Sequence, residues 1–297
     1  MINMDLKGMG VALITPFKED DSIDFDALLK IIEYQIESGT DYIVVLGTTA
    51  ETPTLAEDEK SEIIKAAVTQ VRGRIPIVLG VSSNCTRSVS KQLKEGNYQG
   101  IDAIMSVVPY YNKPSQEGIY QHFKAVAEAS PLPIVIYNVP SRTGVNMTAE
   151  TTLRIARDFE HIIAVKEASG NFDQIKNIIH NKPDHFQVIS GDDSLAYPII
   201  VLGGVGVISV LGNAFPKEFC QMVHLALKGD FENAQVIHTH FTELIDLLFV
   251  DGSPAGVKSA LNILGFIENK LRLPLIPTRM ATHEKIREII NNGIING

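Results

Sequence analysis

The sequence predicts an α/β protein, a (β/α)8 barrel of the TIM type with a C-terminal helical extension. Two observations carry this. Eight short, nearly continuous apolar runs recur along the 297 residues, and each suits a strand buried on both faces of a parallel sheet. Helix-like stretches alternate with them, which is the order of strand–helix units. The rival is a doubly wound sheet. It would usually show a Gly-rich phosphate loop after its first strand, and GVALITPFKEDD has none.

The strand candidates are GVALITP (10–16), DYIVVLG (41–47), IPIVLGV (75–81), IDAIMSV (101–107), LPIVIYN (132–138), HIIAVKE (161–167), HFQVISG (185–191) and GVGVISVLG (204–212). FDALLKIIEYQIESG (25–39) has apolar residues at three-to-four spacing and closes on Gly39, a helix stop signal. LAEDEKSEIIKAAVTQV (55–71) opens acidic and turns apolar, so its negative first turn suits the helix dipole. SQEGIYQHFKAVAEAS (115–130), TAETTLRIARDF (148–159) and NFDQIKNIIHN (171–181) begin with Ser115, Thr148 and Asn171, candidate N-caps. DSLAYPIIVLGG (193–204) is a weaker helix, interrupted by Pro198. PKEFCQMVHLALKGD (216–230) starts with Pro216, favoured at a first helical position. FENAQVIHTHFTELIDLLFV, SPAGVKSALNILGF and THEKIREIINN follow. The expected division is a catalytic barrel over 1–230 and helices over 231–297.

Net charge is −9 and the pI near 5.4. Such a surface is a poor partner for nucleic acid, which attracts a basic face. Cys85 and Cys220 are the only cysteines; two thiols with no CxxC pair suggest neither a disulfide framework nor a zinc site. The eight histidines are scattered, and the closest pair, His238 and His240, would diverge on a helix. The N-terminus lacks a signal-peptide pattern, and no run reaches a membrane span. The expectation is therefore a cytoplasmic protein with no membrane partner.

In a (β/α)8 barrel the active site lies at the C-terminal ends of the strands. Lys166 is the only lysine ending one of the apolar runs, Tyr137 ends the preceding run, and Thr48 and Thr49 follow the second. Burial disfavours an ammonium and lowers its pKa. The free amine can then form a Schiff base with a keto acid. A phenol and hydroxyls can relay protons, and Arg142 could hold a carboxylate by two parallel hydrogen bonds. Each residue alone has a plainer reading. Lys166 could be a solvated or paired charge, with Glu51 and Glu167 available, although strand alternation would turn Glu167 away. Tyr137 could be a core aromatic, Thr48 and Thr49 a cap, and Arg142 a surface residue. Their convergence on one rim favours the chemistry. Asp192 and Asp193 could bind a metal but suit a helix start better. The tyrosines of PYYN (109–112) suit a binding or subunit surface.

GTTAE (47–51), PYYNKPSQEG (109–118), YNVPSRTG (137–144), VKEASGN (165–171) and SGDD (190–193), in this order, resemble the dihydrodipicolinate synthase (4-hydroxy-tetrahydrodipicolinate synthase) family of pyruvate-dependent class I aldolases. The resemblance spans essentially the whole chain. It implies a Schiff base between Lys166 and pyruvate, and no cofactor beyond that covalent adduct. It implies a proton relay of Tyr137, Thr48 and Tyr111, with Tyr111 supplied by a neighbouring subunit. Arg142 would bind the carboxylate of L-aspartate 4-semialdehyde, while Thr49 and the backbones of Gly191 and Ile208 would hold pyruvate. The product would lie on the route to diaminopimelate and lysine. The assembly would be a homotetramer, a dimer of dimers. N-acetylneuraminate lyase is the alternative, and Arg142 favours the synthase.

The chain departs from the family twice. GTTAE replaces the usual GTTGE, so Ala50 is expected to carry modest strain if that position needs positive φ. The family's lysine-binding site keeps Asn84 and Tyr110, but Lys60 and Ser88 stand where inhibited members carry a histidine or glutamate and a glutamate. Weak or absent inhibition by lysine is the expectation.

Overall fold

The computed structural model describes residues 4–293. Eight parallel strands close into a barrel in sequence order. They are β1 (Gly8–Ala12), β2 (Tyr42–Val45), β3 (Ile77–Gly80), β4 (Ala103–Val107), β5 (Ile134–Asn138), β6 (Ile162–Glu167), β7 (Gln187–Ser190) and β8 (Gly206–Ser209). β1 closes the ring on β8, with Gly10 opposite Ile208. In β6 all six residues are buried, Lys166 and Glu167 included, as a two-sided strand requires.

The strands are shorter than the apolar runs. β1 begins two residues before the expected 10–16 and stops at Ala12. Beyond it, the Ile14 amide turns to Asn213 Oδ1 (3.1 Å) and the Thr15 hydroxyl donates to the Ala50 carbonyl (2.8 Å). Side-chain acceptors have replaced the ladder, and Pro16 has no amide to restore it.

The helices are α1 (Phe25–Glu37), α2 (Glu57–Val71), α3 (Thr86–Glu95), α4 (Gln116–Ala129), α5 (Pro140–Thr143), α6 (Ala149–Asp158), α7 (Phe172–Asn181), α8 (Ala196–Val201), α9 (Pro216–Leu227), α10 (Phe231–Val250), α11 (Ala255–Ile263) and α12 (Met280–Asn291). Ser115, Thr148 and Asn171 all act as N-caps, accepting from the amides of Gly118, Thr151 and Gln174. α8 is shorter than 193–204, because a 3₁₀ turn occupies Asp193–Leu195. Pro198 is its third residue, within the first turn, where a missing amide costs little.

Two hydrophobic layers result. Alternate strand residues such as Tyr42, Val44, Met105, Val135 and Ile189 fill the barrel. The other strand faces meet the helices in a continuous outer layer. α10 joins that layer through Phe241, which packs against Phe215 and Phe219 of the α9 region. Among the described residues, no helix is long and apolar enough to cross a membrane.

Candidate active site

The strand register brings the expected chemistry together. Tyr137 lies directly opposite Lys166 across β5 and β6. Lys166 is 4% exposed, and its Nζ stands 4.5 Å from the centre of the Tyr137 ring. Burial pushes the Lys166 amine down to about 8; the Asp193 carboxylate opposes this and the Arg142 guanidinium adds to it. The group therefore sits near the point where a usable fraction is the free nucleophile at neutral pH. Burial pushes the Tyr137 phenol up to about 12, against the lowering by Arg142 and the Thr48 hydroxyl. At neutral pH it remains a phenol, able to donate one proton and accept another.

Glu167 is not the partner of Lys166. Its carboxylate turns to the opposite face, where it accepts from the Ser169 amide (2.7 Å) and from Asn138 and Gln174 (3.2 Å each). Asn138 also donates to Asn146 Oδ1 (2.8 Å) and accepts from the Met147 amide (3.0 Å). This network lies directly behind Tyr137 and Lys166 in sequence and fixes the ends of both strands. Glu51 is not the partner either; it pairs with Lys258.

Gly191 is needed for its absent side chain. A Cβ there would stand 3.1 Å from both Cγ and Cε of Lys166 and 2.8 Å from Ala168 Cβ. The bare backbone therefore closes directly on the lysine stem. Ile208 lies buried in β8. Thr49 is buried and Thr48 exposed on the 3₁₀ turn that follows β2.

A cavity of about 360 Å³ opens at this end of the barrel. Thr48, Tyr137, Arg142, Met105, Tyr110 and Lys60 are among its walls. Arg142 ends the short helix α5 and donates weakly to the Ser253 carbonyl (3.4 Å). Among the described residues no carboxylate pairs with it, so a guanidinium faces the cavity with donors to spare.

Tyr111 is not brought to Lys166 within the chain. Its side chain is 87% exposed and its φ is +72°, a left-handed conformation uncommon for a bulky residue. Of the four residues at the expected regulatory place, Lys60 and Tyr110 share the cavity. The Asn84 carbonyl accepts from Asn112 (3.0 Å), and Ser88 is exposed on α3. Lys60 pairs with Glu57 on its own helix (2.7 Å).

The strain expected at Ala50 is absent. The left-handed residue of GTTAE is Glu51, at φ +55°, so the residue that replaces glycine sits in ordinary backbone. Asp192 and Asp193 are accounted for without a metal ligand role. Asp192 caps the 3₁₀ turn through the Ser194 amide (2.9 Å). Asp193 is buried and accepts from the Val210 and Leu211 amides (3.0 and 2.8 Å). Burial pushes it up to about 6. Its electrostatic reach to Lys166 escaped the sequence reading; the SGDD stretch held the residue but not its neighbour.

A model of the Dihydrodipicolinate synthetase family matches residues 5–293. A 4-hydroxy-tetrahydrodipicolinate synthase of Parabacteroides distasonis is 70% identical over 290 residues, 98% of each chain. One from Phocaeicola vulgatus is 67% identical, again over 98% of each. Among solved structures, a chloride-inhibited dihydrodipicolinate synthase from Acinetobacter baumannii, complexed with pyruvate, superposes with a TM-score of 0.94. It is 38% identical and covers 98% of this chain and 100% of that one. With a matched family model over nearly the whole length and relatives this similar, the chain belongs to the dihydrodipicolinate synthetase family and is one of its lyase enzymes.

Proposed function

We propose that this enzyme condenses pyruvate with L-aspartate 4-semialdehyde to 4-hydroxy-tetrahydrodipicolinate, on the route to diaminopimelate and lysine. One observation carries the reading: a buried lysine of lowered pKa beside a phenol, under a cavity with an unpaired guanidinium. The Lys166 amine attacks the pyruvate carbonyl, and loss of water leaves an iminium. Loss of a methyl proton gives an enamine, whose carbon adds to the semialdehyde. The semialdehyde's own amine then displaces Lys166 and closes the ring, so one water leaves overall. Tyr137 and Thr48 move the protons. Tyr111, presented outward by its left-handed backbone, completes the relay in a partner subunit of a homotetramer. Thr49 and the backbones of Gly191 and Ile208 hold the pyruvate carboxylate end. The only covalent group is substrate pyruvate, with no separate cofactor. Two unpaired cysteines and a net charge of −9 support a reducing cytoplasm and no nucleic-acid partner.

Borohydride reduction with pyruvate, followed by peptide mass analysis, tests the first step. A reduced pyruvate adduct on Lys166 is expected, and its absence would sink the reading. Arg142→Ala should raise KM for the semialdehyde and lower kcat/KM by about 10²-fold, with pyruvate trapping unchanged. Retained cleavage of N-acetylneuraminate in place of the condensation would point instead to the lyase branch.

Lysine is expected to inhibit weakly or not at all. At the expected ammonium site stand the cation of Lys60 and the uncharged Ser88, and Glu57 rather than a ligand pairs with Lys60. Like charge in a shared pocket opposes binding. Steady-state rates across a lysine titration check this; strong inhibition below millimolar lysine contradicts it.

A further inference from the structure

Behind the threonine turn lies an ion pair that the condensation does not use. Glu51 and Lys258 are in contact, and both side chains are 0% exposed. The ammonium also donates to the Lys270 carbonyl (2.9 Å) and stands 4.3 Å from the Phe17 ring centre. The other Glu51 oxygen accepts from the Arg272 amide (3.1 Å). The Arg272 side chain continues the strap, donating to the Thr54 carbonyl (3.1 Å) and to Glu59 Oε2 (2.7 Å). One carboxylate of the barrel rim thus holds α11 and the segment before α12.

A fully buried ion pair is a poor source of stability, since apolar residues of the same volume often serve as well or better. Its value is more readily positional. Glu51 closes the turn that presents Thr48 and Thr49, its amide donating to the Thr48 carbonyl (3.2 Å). Its backbone is left-handed, which disfavours a non-glycine residue by about 1 kcal/mol or more. Such a conformation persists only where the surroundings hold it. The Thr15 hydroxyl on Ala50 and the Thr52 hydroxyl on Gly47 (2.8 Å each) hold the backbone of the turn. Only Glu51 ties it to the C-terminal helices through a charge.

We propose that Glu51 is a positioning residue for the Thr48 hydroxyl, held by Lys258 and the Arg272 strap, so that the C-terminal helices set the geometry of the proton relay. This rests on the Schiff-base reading above. A displacement of the relay by a fraction of its bond length slows proton transfer without touching the lysine that forms the adduct.

The test is Glu51→Gln/Lys258→Met, which removes both charges and keeps the volume, in wild-type and Thr48→Val backgrounds. The double variant is expected to fold, to be trapped by pyruvate and borohydride on Lys166, and to lose about ten- to hundredfold in kcat. KM for pyruvate should stay within about threefold. In the Thr48→Val background the same change should cost little further, because both act on one hydroxyl. A merely structural pair would give losses that multiply. Multiplying losses, or a kcat within about twofold of wild type, would overturn the proposal. Should the double variant not fold, Arg272→Ala, which releases Thr54 and Glu59 only, must show the same non-additivity with Thr48→Val. A wild-type enzyme that forms no adduct would overturn the Schiff-base reading itself; an adduct with unchanged kcat overturns this inference alone.

Discussion

Lys166→Met should melt at a higher temperature than the wild-type protein at pH 7 while turning over no substrate. Holding an amine of ordinary value 10.5 at about 8 corresponds to roughly 3 kcal/mol of penalty on the charged form. The sign follows from the two states. Below pH 8 both the folded and the unfolded chain carry the ammonium, so the whole penalty is present. Between about 8 and 10.5 the folded chain sheds its proton first, and the penalty fades. Methionine has a similar length and no charge to bury. The lost contacts are the attraction to Asp193 and the position against the Tyr137 ring, the latter about 1 kcal/mol. The net gain should be about 1–3 kcal/mol, a rise of about 2–6 °C in melting temperature. Calorimetry at pH 7 and pH 10 checks both parts: the advantage over wild type should shrink at the higher pH. A variant less stable than wild type at pH 7 would contradict the desolvation account of the depressed pKa. In the wild type, the rate of pyruvate trapping should rise with pH through about 8, because only the free amine attacks.

Tyr137→Phe should lower kcat by about 10²–10⁴-fold, the usual worth of a positioned proton carrier, and leave the fold intact. The ring still packs under Lys166, and only the hydroxyl is removed. Its phenol, held near 12 by burial, acts by passing protons rather than as a phenolate. The Lys166 adduct should still form, more slowly, since dehydration of the first addition product needs a proton. Single-turnover trapping separates the steps. An unchanged kcat would remove Tyr137 from the relay; a large fall in melting temperature would assign it to packing instead.

The sequence shows the site wherever chemistry and local pattern coincide. Lys166 is legible because a lysine inside an apolar run violates the pattern around it. Tyr137, Thr48 and Arg142 are legible because barrel strand ends converge on one mouth, and that rule needs only the strand count. α3 was not legible as a helix. Its buried stripe is just Val89 and Leu93, too narrow a face to rise above a polar background. The strain assigned to Ala50 was misplaced by one residue, because a turn's dihedrals depend on hydrogen bonds that a motif does not display. Asp193 looked like a helix start; its carboxylate serves instead the amides after β8 and the charge of Lys166. Lys258 and Arg272 were invisible as functional residues, since no periodicity links them to Glu51. Their pairing exists only in three dimensions.

That pairing also orders events during synthesis. The Arg272 amide that meets the Glu51 carboxylate lies 221 positions further along the chain. A nascent chain that has just completed α9 already holds every strand of the closed ring. Yet its rim still carries a carboxylate with no countercharge, in a place where burial without one is costly. Such a chain must leave the Thr48–Thr49 turn open to water until α11 and the Arg272 segment emerge. The catalytic mouth is then among the last parts of the molecule to mature, so an incomplete chain would own a barrel before it owned an enzyme.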